Sequence, residues 1–251
     1  MHASLRISVV IPAYNEEAYI TPTLKALAKQ TGMVPSDYEL IVVDNNCTDG
    51  TAKIARLFGA RVVQERQPGV GWARAAGFAA AKAPLIATTD ADTVVPKNWL
   101  KEIVAAFEDQ KVVAVGGPGT YDIEHEVVNA VVNRSLPYLH ELDRLVAGTH
   151  HLVGFNMAVR ASAFRAVGGW KETLSVGEDL DLSQRIASAG TVKLLPKLRV
   201  TTSYRRFQRV GPQQLMTYFA NYLEVTKPGD ALRKQLETAI TRLRQAGADD
   251  A

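Results

Sequence analysis

The stretch Pro84-Leu85-Ile86-Ala87-Thr88-Thr89-Asp90-Ala91-Asp92-Thr93 decides how the chain is read. Its apolar start has the length of a buried strand, and that strand delivers two aspartates, one residue apart, to its own end. In extended backbone, residues i and i+2 lie on one face. Both carboxylates can then point at one spot, where a divalent cation or a hydrogen-bond donor relieves their repulsion. Mg²⁺ or Mn²⁺ suits such a spot, because these ions take a few carboxylate oxygens and complete their shell with water and phosphate. A turn or a helix cap is the plainer alternative, since aspartate is common in both.

Upstream, the same unit repeats. Ile7-Ser8-Val9-Val10-Ile11 is a β-branched run halted by Pro12, and Asn15-Glu16-Glu17 opens a helical pattern through Leu24 and Leu27. Leu40-Ile41-Val42-Val43 ends at Asp44, a turn carries Asn45, Asn46, Cys47 and Asp49, and Ile54, Ala55 and Leu57 mark a helix closed by Gly59. Residues 60–64 form a third strand, followed by glycines 69 and 71 and an alanine-rich helix over 72–81. Apolar strands alternating with helices predict a mostly parallel sheet covered on both faces. Ligands of such sheets bind at the carboxyl ends of the strands. The loop from Pro12 to Glu16, Asp44 and the Asp90/Asp92 pair should therefore meet in one crevice.

The second half is less regular. The pattern predicts a strand over 112–115, a helix over 124–146 broken or kinked at Pro137, a strand over 154–159, and a helix that begins at Glu178-Asp179 with acids suited to its dipole. Beyond Pro228, Leu232, Leu236, Ile240 and Leu243 make an apolar stripe flanked by Arg233, Lys234, Arg242 and Arg244. Such a helix packs on its own core or on a second subunit, or lies on a membrane surface near a lipid-linked acceptor.

Composition bounds the function. With 47% hydrophobic residues in 251, the chain can bury one large α/β core, and a net charge of +3 gives no argument for nucleic acid. No apolar run approaches the roughly 20 residues of a membrane span, and the start carries no signal-peptide pattern. Together with a lone Cys47, which excludes an internal disulfide, this gives a cytoplasmic expectation, with any membrane contact peripheral and through the tail. The segment from Gly69 to Gly77 superficially matches a dinucleotide fingerprint, but Arg74 stands where the third glycine should be. Neither a phosphate-binding P-loop nor a serine nucleophile elbow occurs. Arg74 suits a ligand phosphate or an acid partner equally. His150-His151 lacks the spacing of a zinc site. Glu178-Asp179 either caps a helix or supplies a general base, and Arg205-Arg206 is either a solvated pair or a phosphate contact.

Taken in order, Ser8 to Glu17, Val43 to Thr51, Asp90-Ala91-Asp92 and Glu178-Asp179 make a recognisable series. The chain resembles family 2 glycosyltransferases over about residues 6–210. That resemblance implies a single GT-A domain over 1–226, with a nucleotide-binding half (about 1–117) and an acceptor-binding half (about 118–226), followed by an amphipathic tail over 227–251. Its architecture would be a mostly parallel, Rossmann-like central sheet flanked by helices, with a smaller acceptor-side sheet and C-terminal helices. The resemblance implies that Pro12, Ala13, Tyr14, Glu16, Asp44, Asn46, Arg74, Asp90 and Ala91 hold a nucleotide-diphosphate sugar, a UDP- or GDP-sugar. It also implies that Asp92 and Asp90 hold Mn²⁺ or Mg²⁺, and that Asp179, beside Glu178, is the catalytic base. Gly154, Phe155 and Asn156 match the acceptor-side strand. Two departures stand out: Cys47 where serine is usual, and Gln184-Arg185-Ile186 in place of the Q-x-x-R-W of polymer-making members. Both the missing motif and the absent spans favour transfer of one sugar. The resemblance implies direct displacement with inversion, onto an acceptor that is a lipid-linked or soluble saccharide. A nucleotidyltransferase and a non-catalytic nucleotide-sugar binder are the rival classes. The former lacks its glycine-rich loop, and the latter does not need Glu178-Asp179.

Overall fold

The computed structural model of the chain describes residues 5–174 and 177–205. In chain order the strands are β1 (Ile7–Ala13), β2 (Tyr38–Asp44), β3 (Arg61–Gln64), β4 (Leu85–Thr88), β5 (Thr93–Val94), β6 (Val112–Gly116), β7 (Gly119–Asp122), β8 (Met157–Arg160), β9 (Thr191–Leu194) and β10 (Val200–Ser203). The helices are α1 (Ile20–Ala28), α2 (Thr51–Leu57), α3 (Val70–Ala80), α4 (Trp99–Ala106), α5 (Glu126–Ala147), α6 (Ala161–Ala166) and α7 (Glu178–Ile186).

The first four strands pair as the alternation of apolar runs and helices dictates. β1 lies parallel between β2 and β4, and β3 extends the sheet beyond β2. The full order is β3-β2-β1-β4-β8-β6-β9, in which β8 runs antiparallel to both neighbours and β9 parallel to β6. A second, smaller sheet sets β10 between β5 and β7. Successive side chains of β1 take opposite faces. Ile7, Val9 and Ile11 pack with Leu24 and Leu27 of α1 and Trp99 and Ile103 of α4. Val10 packs with Ala73 and Phe78 of α3, Trp170, and Leu182 and Ile186 of α7. α3 comes so close to the sheet that a Cβ on Gly77 would lie 2.3 Å from a Val10 methyl carbon, so only glycine allows that approach.

Three details depart from the sequence reading. α1 starts at Ile20 and not near Asn15, because the preceding donors are taken elsewhere: Glu16 N–H donates to Thr51 Oγ1 at 2.8 Å and Glu17 N–H to Asp49 Oδ2 at 3.0 Å. α5 continues through Pro137 without the expected break. One proline removes a single helical donor, and turns on both sides carry the axis on. Gly154-Phe155-Asn156 forms a turn ahead of β8 and not a strand, closed by Asn156 N–H donating to Val153 O at 2.9 Å. Arg206, the remainder of the acceptor half to residue 226 and the tail over 227–251 lie outside the described residues. Among the described residues no helix is long and apolar enough to cross a membrane.

Candidate active site

The carboxyl ends of β1, β2 and β4 do meet. Ala13 and Asp44 are register partners, and Asn45 N–H donates to Ala13 O at 3.0 Å. Asp44 Oδ1 accepts Cys47 N–H at 2.8 Å, and Asn15 Oδ1 accepts Thr48 N–H at 2.8 Å, so the two loops are stitched to each other. Asn15 and Asn46 adopt left-handed backbone, with φ of 53° and 68°, a conformation that asparagine tolerates better than most residues. Asn46 also donates its side-chain amide to Arg66 O at 3.1 Å. Cys47 reaches Ala13 O through its thiol at 3.4 Å, and burial, with Asp44 beside it, pushes that thiol up to about 11. Cys47 is thus a neutral spacer in this loop. Tyr14 is largely exposed at the rim, where a planar base could lie against it.

Arg74, expected to meet either a phosphate or an acid, meets acids. It is buried in the first turns of α3, donating through Nη2 to Asp90 Oδ1 at 2.9 Å and through Nη1 to Glu178 Oε1. Its charged head therefore ties the end of β4 to the start of α7, with Glu178 104 positions beyond Arg74 itself. Burial opposes the charge on Arg74, but Asp90 and Glu178 overcome it and raise the guanidinium's pKa. Burial likewise pushes the Glu178 carboxyl up against the pull of Arg74. Gly154 closes over this pair: a Cβ there would lie 2.5 Å from the guanidinium carbon. Asp90 thus faces Arg74, and Ala91 is buried, its carbonyl accepting Thr23 Oγ1–H at 2.8 Å.

Asp179 stands next to Glu178 but faces the Gly154 turn. Its Oδ2 accepts Gly154 N–H at 2.9 Å, and its Oδ1 lies 3.6 Å from His151 Nε2. Burial alone would raise this carboxyl, yet His151, Arg74 and the Gly154 N–H hold it well below the usual carboxylate range. It is ionised at neutral pH. The N-cap position itself is Gly177 in left-handed backbone, and Asp179 Oδ1 accepts the first-turn N–H of Leu180 at 2.9 Å. Asp181, the other nearby acid, is consumed by Arg185 and Lys171. His151 carried only the failed zinc spacing in the sequence; its distance of 28 positions from Asp179 gave no local signal. Asn156 serves the turn itself, receiving Trp99 Nε1–H at 2.8 Å and donating to Pro118 O and Leu198 O at 3.1 and 2.7 Å. Its side chain is fully buried. Phe155 faces Tyr121 edge-on at 6.3 Å between ring centres, and Tyr121 in turn meets Tyr204 at 6.0 Å.

Asp92 parts company with Asp90. Its Oδ2 accepts Arg205 Nη2–H at 2.9 Å, and the same nitrogen donates to Glu16 Oε2. Among the described residues no three His, Cys, Asp or Glu side chains gather into a metal site. Two carboxylates, Asp92 and Glu16, nevertheless converge on a single positive nitrogen, which stands in for a cation. Two hard oxygen donors with the balance from water and phosphate is a donor set that Mg²⁺ or Mn²⁺ accepts, so the residues fit such an ion on Asp92 and Glu16 better than on Asp92 and Asp90.

The model of glycosyl transferase family 2 matches residues 8–168, which include every element from β1 to the turn after α6. The chain belongs to that family. Among family 2 relatives, glycosyltransferase AglE of Haloferax volcanii is 28% identical over 190 residues, covering 73% of this chain and 62% of its own length. An uncharacterized glycosyltransferase of Mycobacterium tuberculosis is 40% identical over 102 residues, covering 41% of this chain and 44% of its own. The chain thus aligns with less than half of that relative. Among solved structures, S. aureus TarS 1-349 in complex with UDP-GlcNAc superimposes with a TM-score of 0.67 at 18% identity, over 96% of this chain and 73% of that one. The mannosyltransferase PcManGT from Pyrobaculum calidifontis, in complex with GDP-Man and Mn2+, gives 0.67 at 20% identity, over 95% and 70%. The family 2 chain shares their GT-A fold: a large, mostly parallel central sheet flanked by helices, with a second small sheet.

Proposed function

We propose that the chain is a metal-dependent inverting glycosyltransferase that moves one sugar from a UDP- or GDP-sugar to an acceptor hydroxyl, with Asp179 as general base. The observation that carries this reading is the placement of Asp179. It is an ionised carboxylate held by the Gly154 N–H and His151, next to the Arg74–Asp90–Glu178 cluster at the carboxyl end of the sheet. On the donor side, the stitched loops of Pro12 to Glu16 and Asp44 to Asn46 form the nucleotide cradle, and the neighbours with bound UDP-GlcNAc and GDP-Man support a nucleotide-sugar there. Asp92, with Glu16, would hold a divalent ion, which when bound neutralises charge developing on the leaving diphosphate. Asp90, fixed by Arg74, would meet the ribose side of the donor.

The chemistry follows from those positions. The acceptor oxygen attacks the anomeric carbon as the bond to the diphosphate oxygen breaks. A single attack on the face opposite the leaving group inverts the centre. The acceptor proton passes to Asp179 as the new bond forms, because the hydroxyl becomes acidic as it bonds to carbon and this carboxylate is ionised to receive the proton. Glu178, paired with Arg74 and buried, keeps its neighbour in place and takes no proton. Gly154 positions the base through its N–H, and the aromatic rings of Phe155, Tyr121 and Tyr204 offer an acceptor saccharide a stacking surface.

Asp179→Asn tests the assignment, because the amide keeps shape but cannot take a proton. Turnover should fall by about 10²- to 10⁴-fold with donor affinity, read by calorimetry, within about threefold of the parent. Near-normal kcat in this variant would overturn the assignment.

A further inference from the structure

Arg205 lies where an ion held by Asp92 would lie. Its Nη2 donates to both Asp92 Oδ2 and Glu16 Oε2, and its guanidinium carbon stands 3.7 Å from the centre of the Tyr19 ring. Glu16 and Tyr19 lie in the loop after β1 and Asp92 in the turn after β4, so this one side chain, just past the end of β10, ties both to the rim of the donor crevice. Its Nε–H is buried and has no hydrogen-bond partner among the described residues, although a buried donor left unmatched is costly and normally finds an acceptor. An arginine that spends one nitrogen on two carboxylates and leaves Nε idle still has a fork able to receive two oxygens of a phosphate.

The geometry points to Arg205 as an internal cation: it occupies the Glu16–Asp92 site when no metal is bound, gives way to the divalent ion, and then turns its guanidinium to the donor's diphosphate. This rests on the proposed role of Asp92. An ion on Asp92 Oδ2 would stand a few ångströms from the Arg205 nitrogen now 2.9 Å from that oxygen, where like charges repel. Metal binding therefore disfavours the present position of Arg205. The same exchange would order binding. Metal arriving with a diphosphate both displaces Arg205 and supplies its new partner, so neither ion nor nucleotide alone gains as much as the two together. Tyr19 gives the guanidinium a flat surface along which to slide without losing all its stabilisation.

Mn²⁺ binding to the full chain, followed by electron paramagnetic resonance and by calorimetry without nucleotide, tests this. Arg205→Gln should bind Mn²⁺ about two- to fivefold more tightly than the parent, the value of a part-exposed ion pair no longer to be broken. With Mn²⁺ saturating, the same variant should bind UDP more weakly. Arg205→Lys, which keeps the charge but loses the fork, should leave Mn²⁺ affinity near that of the parent while still weakening UDP, and so guards against a folding artefact in the first variant. Equal or weaker Mn²⁺ binding by Arg205→Gln would overturn the inference and leave the metal reading standing. If neither parent nor variant binds Mn²⁺, with or without UDP, the metal reading fails and the inference with it.

Discussion

Arg74→Met asks how much of the fold depends on one buried charge. Arg74, Asp90 and Glu178 have side chains only 3, 12 and 7% exposed, and methionine fills similar space without a charge. The substitution leaves two carboxylates facing each other in a poorly hydrated place. Breaking a buried ion pair by removing one partner costs about 3–5 kcal/mol, against a total stability of about 5–15 kcal/mol for a domain. At about 2–4 °C per kcal/mol for a chain of this size, thermal unfolding should begin about 6–20 °C lower. The effect should depend on pH with a definite sign. Losing Arg74 raises the folded-state pKa of Glu178 further above its unfolded value. A carboxylate raised in the folded state destabilises progressively as pH climbs from the unfolded to the folded pKa, so the deficit should be larger at pH 7.5 than at pH 5. Adding Glu178→Gln removes one of the stranded charges and should restore at least half of the loss. Scanning calorimetry of parent, single and double variants at the two pH values measures all of this. A deficit under about 2 °C, or one equal at both pH values, would refute the idea that Arg74 holds two ionised acids together.

Other substitutions probe neighbouring contacts. Gly154→Ala sets a methyl 2.5 Å from the Arg74 guanidinium and should destabilise by about 1–3 kcal/mol while lowering kcat, read together by urea titration and steady-state kinetics. His151→Gln removes a group that holds the Asp179 carboxyl down. The acid limb of the pH–rate profile should move to higher pH, and an unmoved limb would separate His151 from the base. Cys47, with its thiol pushed up to about 11, should react with iodoacetamide at pH 8 more slowly than a free cysteine, and Cys47→Ser should keep most of the activity.

The parallel half of the sheet was legible because β1, β2 and β4 each carry an apolar run ended by a turn residue, and the period-2 and period-3.6 patterns do not compete there. Asp90, Asp92, Asp44 and Glu178-Asp179 could be picked out as chemistry because charges at the ends of apolar runs need partners. What the pattern did not carry was which partner each finds. That Asp90 turns to Arg74 and Asp92 to Arg205, that Asp179 lies against His151, and that Asn156 is a buried hub are facts of long-range closure. Each of these pairs is separated by enough chain to leave no periodic trace. Pro137 misled for a related reason: a proline reads as a break locally, but α5 has turns enough on either side to absorb one missing donor.

The tie from Arg74 to Glu178 sets a rule for exchanging parts between relatives. The resemblance would end a nucleotide-binding half near residue 117, yet the buried Arg74 is paired with Glu178, which lies well beyond that position. A chimera joined at that boundary inherits a stranded charge unless both positions come from one parent or are matched by design. For the same reason a fragment ending near residue 117 should not behave as an intact module: among the described residues it would retain Asp90 but lose Glu178 as an ion-pair partner of Arg74. A seam placed at that boundary therefore cuts through the buried Arg74–Asp90–Glu178 cluster, and domain-swapping experiments should cut elsewhere.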